Sequence, residues 1–288
     1  MPVANMRALL AQARAQGRAV GAFSVSSLEM ILGVVRAAEA LRTPVILQVA
    51  QVRLGLMPLR VLGRAMLSAA QDAAVPVGVH LDHATSLDVV AQALDTGFTS
   101  VMYDGSALPL AQNMLNTQEV MRMARPYGAA VEAEVGRVGR TEAGEPSPAE
   151  CADPGDCVAF AAQTGVDALA VAIGNAHGVY AGAPRLRLDI LAQVHARVDT
   201  PLVLHGGTGI GPEAFRSMIG LGICKINIAT ALFQANASAA LANAGRGYFE
   251  MARACLEASQ QVAQEHIAAF GVAPGEKGGF PHERAVSR

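Results

Sequence analysis

Eight short apolar runs recur along the chain, and a segment of helical length separates each run from the next. Such runs are typical of strands that are buried on both faces of a parallel sheet. Eight strands that alternate with helices within about 250 residues indicate an α/β fold of the (β/α)8 or TIM barrel class. An open doubly wound sheet is the main alternative, but no GxGxxG motif follows the first run. The runs are Ala19–Val25, Pro44–Val49, Pro76–Asp82, Thr99–Tyr103, Ala129–Val135, Asp167–Ile173, Pro201–His205 and Ile223–Ile228.

The segments outside these runs are compatible with a single barrel domain over residues 1–288. A helical pattern over Met6–Gln16 precedes the first strand and is expected to close the bottom of the barrel. Residues 230–270 continue helically for longer than one outer helix requires. The additional helices therefore either form a subunit contact or pack on their own barrel. Residues 271–288 contain glycine, proline and mixed charges and are expected to form a loose tail.

Composition limits the partners that this chain can have. Hydrophobic residues make up 52% and charged residues 16%, which indicates a globular core. No apolar run reaches the roughly 18 residues of a membrane helix, and the N-terminus has no apolar block of a signal peptide. The net charge of −2 and the lack of a basic run argue against nucleic acid or membrane surfaces as partners, but permit a small anionic substrate. The four cysteines have no zinc-ribbon spacing, so we expect reduced thiols and a cytoplasmic protein.

The third apolar run carries unusual polar residues into an otherwise buried strand. It reads Pro76-Val-Gly-Val-His-Leu-Asp-His83, and alternation places His80 and Asp82 on the same side of the strand. Burying such groups is costly unless a metal, a hydrogen-bond network or a substrate satisfies them. A core histidine with satisfied hydrogen bonds and an aspartate that caps the next helix would explain the same pattern.

Polar residues also follow the other predicted strands, at the end of the barrel where active sites of this fold lie. Three of the seven histidines, His83, His177 and His205, follow three different strands. Three imidazoles around one open position form a metal site suited to zinc or another late first-row divalent ion. The carboxylates of Glu134 and Asp104 are expected to support these ligands or to act as alternative ligands.

The loops after the last three strands are rich in glycine. Backbone N–H groups in such turns bind anions, and the seventh and eighth loops of barrels are frequent phosphate sites. The sequence therefore predicts a phosphate site formed by Gly178, Gly206, Thr208, Ala229 and Thr230.

The connection over residues 136–155 is long and almost free of apolar residues. Loops of this length in compact domains are usually functional or disordered. Because it follows the fifth strand at the catalytic end, we expect it to act as a lid.

Six motifs resemble, in the same order, the class II metal-dependent fructose-bisphosphate and tagatose-bisphosphate aldolases, with the tagatose-type branch closer. The resemblance spans roughly residues 6–245, and the motifs are HLDHATS, GFTSVMYDGS, EAEVG, DALAVAIGNAHGVY, PLVLHGGTGI and KINIAT. It implies reversible cleavage of a ketose phosphate to dihydroxyacetone phosphate and an aldehyde. It also implies one catalytic Zn2+, replaceable by Co2+, Mn2+ or Fe2+, and a monovalent cation, Na+ or K+, near the phosphate. We expect a homodimer or homotetramer.

The resemblance also implies roles for individual residues. His83, His177 and His205 would bind the metal, with Glu134 and Asp104 near an alternative metal position. Asp82 would move the proton of the ketose C4 hydroxyl. The acid that exchanges the C3 proton would be Glu142, eight residues beyond Glu134. The side chain of Asn227 would steady the enediolate.

Several positions differ from the family pattern. Arg140 and Ala143 flank the expected acid unusually, Ser24 stands where asparagine is common, Ala50 replaces a frequent serine, and Asn175 replaces a common threonine. These differences leave the metal ligands intact but affect the substrate pocket. We therefore expect the substrate to be fructose-1,6-bisphosphate, tagatose-1,6-bisphosphate or a related ketose phosphate.

Two alternatives remain at this point. A Schiff-base aldolase would use Lys225, which lies on the eighth strand and faces the same way as Asn227. The other alternative is a protein without catalytic activity, either a sugar-phosphate binder or a supporting subunit of an aldolase complex. The presence of Asp82 and all three histidines argues against it.

Overall fold

The computed structural model describes residues 3–140, 148–180, 182 and 184–271, without the side chain of Arg140. Eight parallel strands close into a barrel in which the first strand pairs with both the second and the last, so the predicted (β/α)8 fold is confirmed. Each predicted run overlaps one barrel strand, with ends within two residues of those expected. The barrel strands are β1 Val20–Ser24, β2 Val45–Ala50, β3 Val77–Ala84, β4 Ser100–Tyr103, β5 Ala130–Val135, β7 Ala168–Val171, β9 Leu202–Leu204 and β10 Ile223–Ile228.

Two further short strands, β6 Gly139–Arg140 and β8 Ala176–His177, pair in parallel with each other outside the barrel. Helices alternate with the barrel strands, and two additional helices follow the last strand. The helices are α1 Met6–Ala15, α2 Leu28–Leu41, α3 Leu59–Asp72, α4 Leu87–Thr96, α5 Leu110–Ala124, α6 Pro154–Thr164, α7 Leu188–His195, α8 Pro212–Gly220, α9 Thr230–Asn243 and α10 Tyr248–Ala269. Within the described residues, none of them is both long and apolar enough to cross a membrane.

The lower half of the barrel interior is apolar and is closed by α1, as predicted. Met6, Leu9 and Leu10 of α1 are buried against inward-facing residues of the strands, such as Ile46 and Val203. Each large side chain buried in this way stabilises the fold by about 1.5–3 kcal/mol relative to exposure. Helix α1 therefore completes a packed apolar core at the lower end of the barrel, and the polar residues lie at the upper end.

Two irregularities turn polar side chains of the upper half toward the barrel axis. The pairing register of β3 with β4 shifts between Leu81 and Ala84, and His83 has a left-handed backbone with φ of 46°. Regular alternation would point Asp82 and His83 to opposite faces, whereas the shift brings both to the site. A second shift in β10, between Ile223 and Lys225, turns Lys225 inward. A left-handed non-glycine residue costs about 1–3 kcal/mol, which the surrounding structure must offset.

The additional C-terminal helices pack on their own barrel. Helix α10 lies against α2 and α9, and its contact with α2 is close at Gly33, where a Cβ atom would lie 2.5 Å from Cβ of Ser259. The turn between α9 and α10 exposes Leu241, Tyr248 and Phe249. The structure therefore shows the second of the two alternatives, in which these helices pack on their own chain. A contact with another subunit remains a prediction.

Candidate metal and phosphate site

The three predicted metal histidines converge at the top of the barrel. The ring centroids of His83 and His205 are 4.5 Å apart, and that of His177 lies 4.9 Å from His83 and 5.9 Å from His205. One ligand atom from each ring lies within 4.8 Å of the other two. The polypeptide brings these rings together from β3, β8 and the end of β9, as the order of barrel strands predicts.

The donor atoms of two rings are oriented as metal ligands require. Nδ1 of His83 lies 2.8 Å from Oδ2 of Asp104, and Nε2 of His205 lies 2.9 Å from Oε1 of Glu132. The remaining nitrogens, Nε2 of His83 and Nδ1 of His205, face each other at 2.7 Å. A carboxylate on the outer nitrogen of a histidine fixes the ring and makes the inner nitrogen a better ligand. The residues present therefore fit a divalent ion.

The protonation of the two rings differs. Burial lowers the pKa of His83, but Asp82 and the hydrogen bond with Asp104 outweigh it and raise that pKa to about 10. Burial and the neighbouring His83 lower the pKa of His205. Of the two facing nitrogens, Nε2 of His83 then carries a proton and Nδ1 of His205 does not. A bound divalent ion would replace that proton.

A second group of possible ligands shares one histidine with the first. His83, Asp104 and Glu134 present ligand atoms within 4.8 Å of one another, so both predicted carboxylates lie where an alternative ligand would. Oε1 of Glu134 accepts a hydrogen bond from the N–H of Val138 at 3.1 Å, while Oε2 is buried without a hydrogen-bond partner among the described residues. Burial, followed by the charge of Asp104, raises the pKa of Glu134 to about 8. An additional cation would supply the missing partner of this oxygen.

The predicted base Asp82 is held by one donor on each oxygen. Nε2 of Gln48 donates to Oδ2 at 3.1 Å, and Nδ2 of Asn227 donates to Oδ1 at 3.2 Å. Burial raises its pKa, but the charges of His83 and His205 outweigh this effect and lower it. Asp82 is therefore an ionised, oriented carboxylate, and is not the helix cap of the alternative interpretation. The N-cap of α4 is Ser86.

Two residues of this network had no assigned role in the sequence analysis. Gln48 interrupts the apolar β2 and also donates to Oγ of Ser24 at 3.1 Å. Glu132 is fully buried on β5 and contacts both His205 and Lys225. Burial raises the pKa of Glu132, but Lys225 and the hydrogen bond from His205 together lower it well below its usual range. A polar residue inside a run of buried strand residues was the available signal for both.

The five predicted phosphate residues line one cleft, which His177 also lines. Oγ1 of Thr208 accepts a hydrogen bond from the N–H of Ala231 at 3.1 Å, which ties the loop after β9 to the start of α9. Ala229 is the N-cap of that helix and makes no side-chain cap. Backbone N–H groups at a helix start bind anions. The full set of lining residues is Ser24, Gln48, Asp82, His177, Gly178, Gly206, Thr208, Asn227, Ala229 and Thr230.

Close backbone contacts hold the loops that carry His177 and His205. Gly206 has φ of 65°, and a Cβ atom on it would lie 2.2 Å from the carbonyl oxygen of Ala176. The hydroxyl of Tyr180 accepts from the N–H of Ala176 and donates to the carbonyl of Gly206, both at 3.0 Å. The two loops therefore form one unit, in which glycine is required at position 206.

The long connection after β5 starts and ends beside this unit. Its first part forms β6 against the strand that contains His177, and the backbones of Arg137 and Glu150 pair across its base. Residues 141–147 lie outside the described residues, and the predicted acid Glu142 is among them, as is Ala143. The lid therefore remains a prediction.

Lys225 is placed unfavourably for the alternative Schiff-base mechanism. Its side chain is fully buried, and Nζ lies 2.9 Å from Oε2 of Glu132 and 2.7 Å from Oδ1 of Asn227. An ammonium held by two buried acceptors is not available as an amine nucleophile.

The chain is similar to known proteins in both sequence and fold. The family model described as "Fructose-bisphosphate aldolase class-II" matches residues 4–274. YdjI of Escherichia coli K12 is 38% identical over 255 residues, which are 88% of this chain and 92% of YdjI. The crystal structure of that aldolase matches with a TM-score of 0.85 and 34% identity, covering 94% of this chain and 98% of its own.

Relatives with different named activities are similarly close. A 6-phospho-5-dehydro-2-deoxy-D-gluconate aldolase of Halalkalibacterium halodurans is 39% identical over 244 residues, covering 83% of this chain and 84% of the relative. A sulfofructosephosphate aldolase of Alkalicoccus urumqiensis is 38% identical over 232 residues, covering 78% and 80%. With a family match over nearly the whole chain and relatives of this similarity, the protein belongs to the class II fructose-bisphosphate aldolase family.

Proposed function

We propose that this protein is a zinc-dependent aldolase that cleaves the C3–C4 bond of a ketose phosphate to dihydroxyacetone phosphate and an aldehyde, and catalyses the reverse condensation. One observation carries the proposal: the base Asp82 and His177 of the metal triad line the same cleft as the phosphate residues. A phosphate bound there would place the adjoining carbons of the sugar next to the metal ligands and the base.

The chain's own residues account for the proton transfers. Asp82 takes the proton of the C4 hydroxyl, the C3–C4 bonding electrons move to the C2–C3 enediolate, and the aldehyde leaves. The amide of Asn227, which donates to Asp82, would also donate to the enediolate. Glu142 then protonates C3 to form dihydroxyacetone phosphate, and this role remains a proposal because the residue lies outside the described ones.

A divalent ion held by His83, His177 and His205 would supply Lewis-acid stabilisation of the enediolate oxygens. Zinc suits three imidazole ligands with an open position, and Co2+, Mn2+ or Fe2+ would be replacements. We further propose that Na+ or K+ binds near the phosphate residues.

The part of the substrate beyond C4 need not be that of fructose or tagatose bisphosphate. Relatives at nearly equal identity are named for phosphodehydrodeoxygluconate, sulfofructose phosphate and fructose bisphosphate. In this chain Ser24 lines the cleft and bonds Gln48, while Ala50 is paired in register with Asp82. Both positions depart from the family pattern near the base, which supports a related ketose phosphate as substrate.

A retro-aldol assay on a panel of ketose 1-phosphates and bisphosphates tests the proposal. We expect release of dihydroxyacetone phosphate that EDTA abolishes and zinc restores. The matched variants are Asp82→Asn, expected to lose cleavage while retaining zinc, and Glu142→Gln, expected to lose exchange of the C3 proton of dihydroxyacetone phosphate. Inactivation by borohydride with indifference to EDTA would refute the metal mechanism. Zinc binding without cleavage of any substrate would instead favour the sugar-phosphate-binding alternative.

We also propose a cytoplasmic homodimer or homotetramer. All four cysteines are unpaired, which suits a reducing compartment. The exposed Leu241, Tyr248 and Phe249 at the turn between α9 and α10 support a contact between copies. The mass measured by light scattering tests the oligomer, and a monomer at micromolar concentration would refute it.

A further inference from the structure

A fully buried lysine lies below the proposed metal site, and the proposed mechanism gives it no role. Lys225 is on β10, and the register shift between Ile223 and Lys225 turns it into the barrel. A buried ammonium carries a desolvation cost that only well-placed acceptors offset. Its acceptors therefore indicate what it does.

The first acceptor of Lys225 is Glu132, which also contacts the proposed metal ligand His205. Nζ of Lys225 lies 2.9 Å from Oε2 and 3.3 Å from Oε1 of Glu132. The same Oε1 lies 2.9 Å from Nε2 of His205. With Glu132 ionised, that nitrogen must carry the hydrogen, so Nδ1 of His205 presents its lone pair to the metal side.

The second acceptor of Lys225 is the side-chain amide of Asn227, for which we propose a catalytic role. Lys225 donates to Oδ1 of Asn227 at 2.7 Å. Because an ammonium only donates, it fixes which end of the amide faces it. Nδ2 of Asn227 is then directed to Oδ1 of Asp82, at 3.2 Å, and toward the histidine cluster, 3.3 Å from Nδ1 of His205.

We propose that Lys225 is a positioning residue that sets two parts of the site at once: the metal-facing nitrogen of His205, through Glu132, and the donor direction of the Asn227 amide. The inference rests on the proposed aldolase function for its second part only. The first part concerns zinc retention and stands without any substrate.

The test compares Lys225→Met, Glu132→Gln and the double variant with the wild-type protein. Lys225→Met keeps the length of the side chain but leaves the buried carboxylate of Glu132 without its positively charged partner. We expect zinc transfer to a chelator to become about 10–100-fold faster, the usual effect of losing a residue that supports a metal ligand. We expect kcat at saturating zinc to fall about 100-fold with little change in KM, because the amide of Asn227 loses its fixed direction.

The double variant separates the two parts. The neutral amide introduced by Glu132→Gln still offers an oxygen to Nε2 of His205 and needs no partner charge. Zinc retention should therefore return to within a few-fold of wild type, while kcat stays low. Thr164→Val is the matched control, because it removes another buried hydrogen bond, to the carbonyl of Phe160 at 2.7 Å within helix α6. Its zinc retention and kcat should be those of wild type.

A purely structural role would lower the thermal stability of the metal-free protein and leave zinc release and kcat unchanged; that result would overturn the inference. So would a double variant that releases zinc as fast as Lys225→Met. If Lys225→Met does not fold, the double variant alone decides, through normal zinc retention with a low kcat. If wild type binds zinc but cleaves no ketose phosphate, the proposed function fails while the zinc measurements still decide on Lys225.

Discussion

Removing the side chain of Asn175 tests what holds the loops that carry His177 and His205. This residue follows β7, is fully buried, and joins two segments of the site. Its Oδ1 accepts a hydrogen bond from the N–H of Ile173 at 2.8 Å, and its Nδ2 donates to the carbonyl of His205 at 2.8 Å. His177 follows two residues later, so one amide supports the segments that carry two of the three proposed metal histidines.

The substitution Asn175→Ala leaves both backbone groups buried without these partners. Each unsatisfied group costs about 1–3 kcal/mol, so we expect the free energy of unfolding to fall by about 2–6 kcal/mol. This is a large share of the about 5–15 kcal/mol of a typical domain. Because the carbonyl of His205 is one of the two groups, zinc affinity should also fall by about tenfold or more.

Urea unfolding of the metal-free protein, followed by circular dichroism, measures the first effect, and chelator competition measures the second. Asn243→Ala is the matched control, because that half-buried amide at the end of α9 makes only local hydrogen bonds, to the carbonyl of Ala239 at 2.9 Å and from the side chain of Arg246 at 3.0 Å. It should cost less than about 1 kcal/mol. An Asn175→Ala protein that loses no more stability than the control, and binds zinc as wild type does, would show that the amide is not what holds these loops.

Two further predictions concern the barrel interior and the cleft. Burial, with a contribution from Lys225, lowers the pKa of His80 from 6.5 to about 3, so the unfolded chain binds a proton between these values that the native state does not. The free energy of unfolding of the wild-type protein minus that of His80→Gln, measured in urea titrations at pH 5–7, should therefore fall as pH drops below 6.5, by up to about 1.4 kcal/mol per pH unit; parallel slopes of the two proteins would contradict the argument. Gly206→Ala places a Cβ atom 2.2 Å from a carbonyl oxygen at φ of 65° and should destabilise the fold by more than about 2 kcal/mol. A Cβ atom at Gly55 would meet nothing within 4 Å, so Gly55→Ala should leave the stability unchanged. Equal stability of the Gly206→Ala and Gly55→Ala variants would refute the expected clash.

Much of the architecture could be read from local patterns. The eight apolar runs predicted the barrel strands, because strands buried on both faces leave continuous apolar sequence. Once the chain is a (β/α)8 barrel, every strand end lies on one rim. His83, His177 and His205 were therefore expected to meet, although 122 residues separate the first from the last. The cleft that contains the phosphate residues follows from the same topology.

Other features depended on contacts that no local pattern shows. Glu132 and Lys225 are 93 residues apart and become partners only through the closed barrel and the register shift in β10. Asn175 differs from the family pattern in sequence, and only the structure shows it joining two loops.

By itself, then, the sequence determined the barrel, the rim and the residue types at the rim, because hydrophobic periodicity and chain order are properties of the chain. The tertiary structure decided which way the polar side chains point. The left-handed backbone of His83 brings its ring and Asp82 to one site, and the partners of His205 leave its Nδ1 facing the ring of His83. These orientations arise from packing and hydrogen bonds between distant strands, so they exist only once the barrel has closed.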